Sequence, residues 1–502
     1  MALTDHTTAP DAADLGTTAA RAVMWNYVSF ALGKVLVLVT MAVLARLLTP
    51  EDFGIVGFAT VAITYLAVFK DLGLGAAIIQ RSDDVEDSAQ TVFVLNLILG
   101  VVLTVATALA APAVAAFFEE PLVTPLLRVL AFTFVIEALG AIHIVLLRRD
   151  LAFRRKLIPD TGRAIVKGAV SIGTAATGFG VWALVWGQLA GVIASVILSW
   201  LVVAWRPTYR VRRDLVRPLL GYGMPLVATD IQFAIWQNLD YVFVGKYLGD
   251  AALGVYTLAY RLPELLVQSI WRVVAGAAFP LFSRLQHDRD LIRRGFLRTV
   301  RYTQIATVPL CLGLIVTAEP AVNVLFGERW SEAIPVLQVL ALFTLVASIG
   351  YNAGDVYKAI GRPDLLAKVG GIDLIVLIPG LYVAASHSLL AVAWVHAGAA
   401  LIDTAIRFAV ARRFIGVTLG DIVRQIAPAA RAGAALAAVA LATLWATAGL
   451  PDLTRLVATT AAGSAAYVAA LVRFDRPVVV RMADLMGMGR FIPSSWMPKD
   501  MT

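Results

Sequence analysis

The sequence has one cysteine, Cys311, and five histidines, and Asp, Glu, Lys and Arg together supply only 15% of its residues. A single thiol excludes an internal disulfide, and within an apolar run Cys311 reads as a small packing residue. No HExxH, CxxC, Walker or strand-linked G-x-G-x-x-G pattern is present, so no metal, nucleotide or other cofactor is implied. The shortage of charge excludes more. Soluble proteins carry roughly 25% charged and 45–50% apolar residues, whereas 60% of this chain is hydrophobic and its mean hydropathy is +0.81. Basic residues are also missing from the first 20 positions, which hold Asp5, Asp11 and Asp14. No cleavable signal peptide is therefore expected, and the first apolar span is read as the membrane signal.

What is present in quantity is apolar sequence. Runs of about 20 residues recur throughout, each long enough for a hydrocarbon core of about 30 Å. The runs are continuously apolar and do not alternate with period two, which selects helices over a closed barrel. Hydropathy and helix breakers predict an all-α polytopic membrane protein with fourteen spans, at about 22–47, 54–79, 91–118, 126–147, 161–178, 182–204, 219–245, 252–280, 302–318, 333–357, 369–385, 389–411, 427–448 and 455–472. Cytoplasmic loops hold the excess of Lys and Arg. With the N-terminus inside, 29 of the 42 basic residues fall in inside segments and only Lys246, Arg329 and Arg455 fall outside. A missed or invented span would reverse that excess midway, so both termini are expected in the cytoplasm. The longest outside connection, around EPAVNVLFGERWSEA (319–333), is too short for a catalytic domain. The last 30 residues mix basic and apolar positions and read as a loosely ordered tail on the inner membrane surface.

The stretch LARLLTPEDFGIVGFA (44–59) returns as VGKYLGDAALGVYTLA (244–259), pairing Leu48 with Leu248, Gly54 with Gly254 and Ala59 with Ala259. A second pair, PLLRVLAFTFVIEALG (125–140) and PVLQVLALFTLVASIG (335–350), shares Pro125/Pro335, Leu130/Leu340 and Gly140/Gly350 at an offset of 210. Six predicted spans separate the copies, so they face the same way. Parallel six-span repeats suggest two lobes related by an axis along the membrane normal, a transporter architecture. The expected organisation is a polar tail (1–20), an N-lobe (21–218), a C-lobe (219–413), two further helices with their preceding loop (414–472) and a cytoplasmic tail (473–502). In the repeated stretch, Pro50 and the acidic residues suit the first turn of the second helix, and the glycines permit close helix approach.

LARLLTPEDFGIVGFATVAITYLAVFKDLGLGAAIIQR (44–81), YRLPELLVQSIWRVVAGAAFPLFSRLQ (260–286) and YKAIGRPDLLAK (357–368) resemble the Wzx-type polysaccharide flippases of the multidrug/oligosaccharidyl-lipid/polysaccharide exporter superfamily. The likeness covers about residues 21–420. It implies a V-shaped pair of six-helix lobes with two appended helices and no catalytic residues. It also implies translocation of undecaprenyl-diphosphate-linked oligosaccharide units across the bacterial inner membrane by alternating access. The implied partners are the lipid-linked oligosaccharide, membrane lipids, H+ or Na+ as coupling ion, and the polysaccharide polymerase and chain-length machinery; no nucleic acid is expected.

Charges inside spans mark candidate sites, because each costs roughly 2.5–3.5 kcal/mol at a helix centre. Arg46, Arg163, Lys167, Arg272 and Arg407 lie near span ends, where snorkelling accounts for them. Asp403 with Arg407 and Arg261 with Glu264 are spaced for local ion pairs. Lys34 is central in its span. Lys34, Lys70, Arg261 and Arg272 are candidates to line a cationic cavity for the substrate diphosphate. Asp71, Glu137 and Asp230 are candidate counter-ions or carriers of the coupling ion. His143 and His396 read as packing or cavity-lining residues. Two rivals stand beside this reading: an ion-coupled multidrug antiporter, which would favour an acidic cavity, and a polytopic glycosyltransferase or polymer ligase, which would need an external loop or a carboxylate pair.

Overall fold

The computed structural model describes residues 32–81, 83–286 and 288–485, and among them there are helices and connections but no strand. Nine of the described helices are long and apolar enough to cross a membrane. Their outer faces carry large apolar side chains: Trp445 is 83% exposed and Leu109 76%. Surfaces of that kind need lipid as solvent. The chain divides into two compact units, one ending at Gly254 and the other beginning at Val255.

The first unit begins with α1 (32–47) and α2 (Pro50–Ala67). The turn between them explains the interruption at Thr49-Pro50-Glu51-Asp52. Thr49 caps α2: its Oγ1 accepts from the Asp52 amide at 3.3 Å, and Asp52 Oδ2 accepts from the Thr49 amide at 3.0 Å. Pro50 takes the first helical position, where no amide hydrogen is needed. The run resumes at once because the helix that follows is fully capped. Short α3 (Leu74–Gln80) leads to the antiparallel pair α4 (Val85–Phe118) and α5 (Val123–Arg149), then to α6 (Phe153–Ala176) and α7 (Trp182–Val202). The division between α6 and α7 falls at Gly178 and Gly180, both with positive φ.

An extended segment, 203–212, then lies along the start of α4. Gln90 Oε1 accepts from the Thr208 amide at 2.6 Å, Thr91 Oγ1 accepts from the Arg212 amide at 3.1 Å, and Arg212 Nη1 reaches Asp87 at 3.0 Å. α8 (Arg213–Arg284) is broken at Gly249, whose φ of 86° ends one helix and starts the next. Thr49 and Gly249 are equivalent positions of the repeated stretch.

The two copies of that stretch meet. A Cβ on Gly54 would lie 1.8 Å from the Asp250 carbonyl oxygen, and one on Gly254 would lie 1.9 Å from that of Pro50. Positions 50 and 250, like 54 and 254, correspond under the offset of 200, so the contact is reciprocal. It is made by main-chain atoms, which is why Pro in one copy and Asp in the other serve equally.

The second unit contains the remainder of α8, α9 (Arg289–Leu325), α10 (Ala333–Gly350), α11 (Ala353–Ala359), α12 (Asp364–Ala385), α13 (Leu389–Ile415), α14 (Leu419–Ala446) and α15 (Asp452–Leu485). Buried side-chain bonds tie it together. Gln304 Nε2 donates to Ser348 Oγ at 2.8 Å, Asn352 Nδ2 donates to Thr303 Oγ1 at 3.0 Å, and the Tyr467 hydroxyl donates to the Ile305 carbonyl at 2.8 Å. Cys311 is fully buried in α9, as its apolar run predicts. The segment read as a loose tail is helical as far as Leu485, past a kink at Asp475. Arg301 Nε of α9 donates to that aspartate at 2.7 Å.

Candidate functional site

The predicted span 54–79 is not one helix. α2 stops at Ala67 and α3 starts at Leu74, with Leu72 (φ 46°) and Gly73 (φ 71°) both left-handed between them. Glycine is needed at 73 for a second reason: a Cβ there would lie 2.6 Å from the Cα of Gly223 in α8. Asp71 accounts for the restart of the helix, because its Oδ1 accepts from the Gly75 amide at 3.1 Å. The carboxylate thus sits at a helix N-terminus, where negative charge is stabilised.

The break sets Lys70 free of the helical register and turns it toward α5. Its Nζ lies 3.0 Å from Glu137 Oε2. The other oxygen of the same carboxylate, Oε1, lies 3.0 Å from Arg163 Nη2 of α6. Two cations share one anion, so the cluster carries a net positive charge. It is also open: 48% of the Lys70 side chain, 38% of Arg163 and 25% of Glu137 remain accessible. One turn along α6, Lys167 Nζ donates to Gln188 Oε1 of α7 at 2.7 Å. α1 crosses α6 where Gly168 faces Thr40. Lys34 lies six residues before Thr40, about 9 Å back along α1.

Of the sequence candidates, the structure brings Lys70 and Glu137 into contact, with Asp71 next to Lys70 in the chain, while Lys34 lies on α1 of the first unit. Asp230, in α8, is exposed. Arg261 forms its local pair with Glu264 at 2.8 Å in the second unit, and Arg407 pairs with Asp403 at 2.6 Å. Arg272 is in α8, but its side chain lies outside the described residues.

Arg163, read from the sequence as a snorkelling residue near a span end, is the third member of the cluster. The expected span began at 161, which put Arg163 at a membrane edge and made snorkelling sufficient. The helix instead begins at Phe153 and accommodates Pro159 in its second turn, leaving Arg163 about 15 Å from its start. Its i,i+4 spacing from Lys167 on a helix face was the available signal.

A family profile described as "Polysaccharide biosynthesis protein" matches residues 43–335, more than half of the chain. The chain belongs to the polysaccharide biosynthesis protein family. Similar family-type relatives include the teichuronic acid biosynthesis protein TuaB of Bacillus subtilis (strain 168), 27% identical over 387 residues, or 74% of this chain and 78% of TuaB. The lipopolysaccharide biosynthesis protein WzxC of Escherichia coli (strain K12) is 26% identical over 370 residues, 72% of this chain and 73% of WzxC. In fold, this polysaccharide biosynthesis protein is similar to the lipid II flippase MurJ in an inward closed conformation. The TM-score is 0.71 at 14% identity, covering 92% of this chain and all of that one. The matched region 43–335 contains all three members of the Lys70–Glu137–Arg163 cluster.

Proposed function

We propose that this polysaccharide biosynthesis protein is a flippase that moves undecaprenyl-diphosphate-linked oligosaccharide repeat units across the bacterial inner membrane, for lipopolysaccharide or exopolysaccharide assembly. The family, and relatives named for teichuronic acid and lipopolysaccharide biosynthesis, support the substrate class. The observation that carries the mechanism is the half-open cluster in which Lys70 and Arg163 share Glu137. A diphosphate entering a low-dielectric cleft loses hydration worth several kcal/mol. Lys70 and Arg163 offset that loss with charge-assisted hydrogen bonds, and Arg163 can present a planar fork to two phosphate oxygens.

Glu137 keeps the two cations together while the site is empty. It compensates part of their charge, so the site is cationic without carrying two uncompensated charges. Lys167 extends the positive surface along α6, and Lys34 of α1 is assigned to the same cavity. The left-handed residues Leu72 and Gly73 give the Lys70 segment a place to bend as the site empties, in a cycle of alternating access. Asp71 is committed to capping α3, which favours Glu137 over Asp71 as the group that exchanges a proton or sodium ion, if an ion drives the cycle. Around the site we place fourteen spans with both termini cytoplasmic, the first twelve as two six-span repeats. Arg261 and Arg272 of α8 are assigned to contacts with the substrate anion, and Asp230 is assigned as a counter-ion. The polymerase and chain-length machinery would receive the flipped unit.

The net positive charge disfavours a multidrug antiporter selecting cations. A ligase reading would need room for an acceptor domain, and the connections between helices are short.

The test is headgroup translocation of a fluorescent polyprenyl-diphosphate oligosaccharide in proteoliposomes. Wild type is expected to translocate it, and Lys70→Ala and Arg163→Ala to slow it by about tenfold or more, as loss of a charge-assisted bond to phosphate requires. Glu137→Gln should slow turnover while retaining binding. Export of a cationic dye by a wild type that moves no lipid-linked sugar would overturn the assignment.

A further inference from the structure

In the first unit, α5 and α7 leave a groove of about 290 Å³ lined by Leu139, Val196, Ile197, Trp200 and Leu201, with no polar lining. Ile197 and Leu201 are 53% and 76% exposed, so the groove faces the surrounding lipid. Its end wall is Trp200, held on two sides. Trp200 Nε1 donates to the Leu139 carbonyl at 2.8 Å, and the His143 ring stacks on the indole at a centroid distance of 4.7 Å.

Two guanidinium groups border that end. Arg206 lies over the Trp200 ring at 5.4 Å, its Nη1 bonded to the carbonyls of Val203 (2.7 Å) and Trp205 (2.8 Å). Arg155 Nη2 donates to the Val202 carbonyl at 2.8 Å. Among the described residues both side chains are held by main-chain carbonyls and neither forms an ion pair with a carboxylate, the nearest acid in this network being Glu86, which accepts from Trp205 Nε1 at 2.9 Å. Arg148, Arg149 and Arg154 follow on the adjoining turns, with Asp150 the one acid among them. Indole at the interface, arginine just beyond it and an apolar slot beneath match the sequence of layers in a phospholipid: backbone, phosphate and acyl chain.

Glu137 and Leu139 are two residues apart on α5, about 200° around the helix. The groove therefore opens on the side opposite the Lys70–Glu137–Arg163 cluster and is not an extension of it. We propose that it is a binding site for a resident anionic phospholipid, one acyl chain in the α5/α7 groove and the phosphodiester on Arg206 and Arg155. Its occupant is a lipid of the surrounding leaflet and not the transported carrier.

The experiment is native mass spectrometry of the full-length protein released from detergent, with phosphatidylglycerol, phosphatidylcholine and undecaprenyl phosphate as probes. Wild type should retain phosphatidylglycerol over phosphatidylcholine by about tenfold or more, on the scale of two arginine contacts to an anionic headgroup. The Arg155→Gln/Arg206→Gln protein should lose that preference. Ile197→Trp, which fills the slot and leaves both arginines in place, should lose retention of phosphatidylglycerol as well. Circular-dichroism melts without added lipid identify which variants are folded, and either folded variant suffices as the test. An unchanged preference in a folded variant would overturn the site, and so would one-for-one displacement of phosphatidylglycerol by undecaprenyl phosphate.

Discussion

Glu119 shows how a single polar residue behaves at a helix end in this molecule. It follows the last turn of α4 in a left-handed conformation (φ 61°), and its Oε1 accepts from Lys246 Nζ at 2.7 Å. The bond to Lys246 and the charge behind it hold the carboxyl below its ordinary value of 4.5. A carboxyl depressed in the folded state adds stability above its unfolded pKa and loses it as pH falls through the depressed one. The difference in melting temperature between wild type and Lys246→Gln should therefore be constant above pH about 5 and shrink toward zero below pH about 4. The effect is small, because the pair is exposed and screened. Thermal unfolding in detergent across that range checks it, and a difference that grows on acidification would reverse the sign. Glu137 sits differently: one carboxylate held between two cations on separate helices, where substitution changes the charge of a site and not only a local contact.

Helices in this chain were legible in the sequence where the local signal and the packing agree. Thr49-Pro50-Glu51-Asp52 carries its own cap, so the start of α2 could be read directly, and Gly178-Phe179-Gly180 separates α6 from α7 as expected. The break after Ala67 was not legible. Phe69-Lys70-Asp71-Leu72-Gly73 contains one glycine in an apolar run, and the partners met at the break, Glu137 of α5 and Gly223 of α8, are far away in sequence. Between α10 and α11 the chain stays close to helical, and Ala333–Ala359 counts as one span, near the 333–357 read from the sequence. The first two turns of α6 were missed because FRRKLIPD is polar and contains Pro159, both signs of a loop when no neighbour is visible.

Close helix crossings make the corresponding prediction. Gly54→Ala places a methyl group on the Asp250 main chain and is expected to destabilise the protein by about 1–3 kcal/mol, the usual range for overpacking. Gly173→Ala, in α6 with open space at its Cβ, should instead be neutral or stabilising by up to about 1 kcal/mol. Thermal melts of the two variants give the contrast, and equal behaviour would contradict the crossing.

At the level of the whole molecule, the helical architecture and membrane class follow from composition. The internal division is less visible, because a boundary at Gly254–Val255 falls inside α8, where no loop or change of composition marks it. The topology is open to direct measurement. The native thiol, Cys311, is fully buried, so single introduced cysteines report without background. On the proposed orientation, Ser331→Cys, in the longest connection of the sparsely charged side, should react with an impermeant maleimide from outside the cell, and Tyr209→Cys only after the membrane is breached. Labelling in the opposite order would invert the proposed orientation.

The reciprocal contact of the repeated stretch has a consequence of its own. Gly54 rests on Asp250 as Gly254 rests on Pro50, so the crossing has the symmetry of a homodimer interface with both partners written into one polypeptide. A half-length chain carrying one copy would present the same complementary surface to a second copy of itself. In the full chain, a change on one side has its mirror image on the other: a substitution at Gly254 should reproduce the cost of the same substitution at Gly54, and the two together should cost less than their sum once the first has parted the backbones.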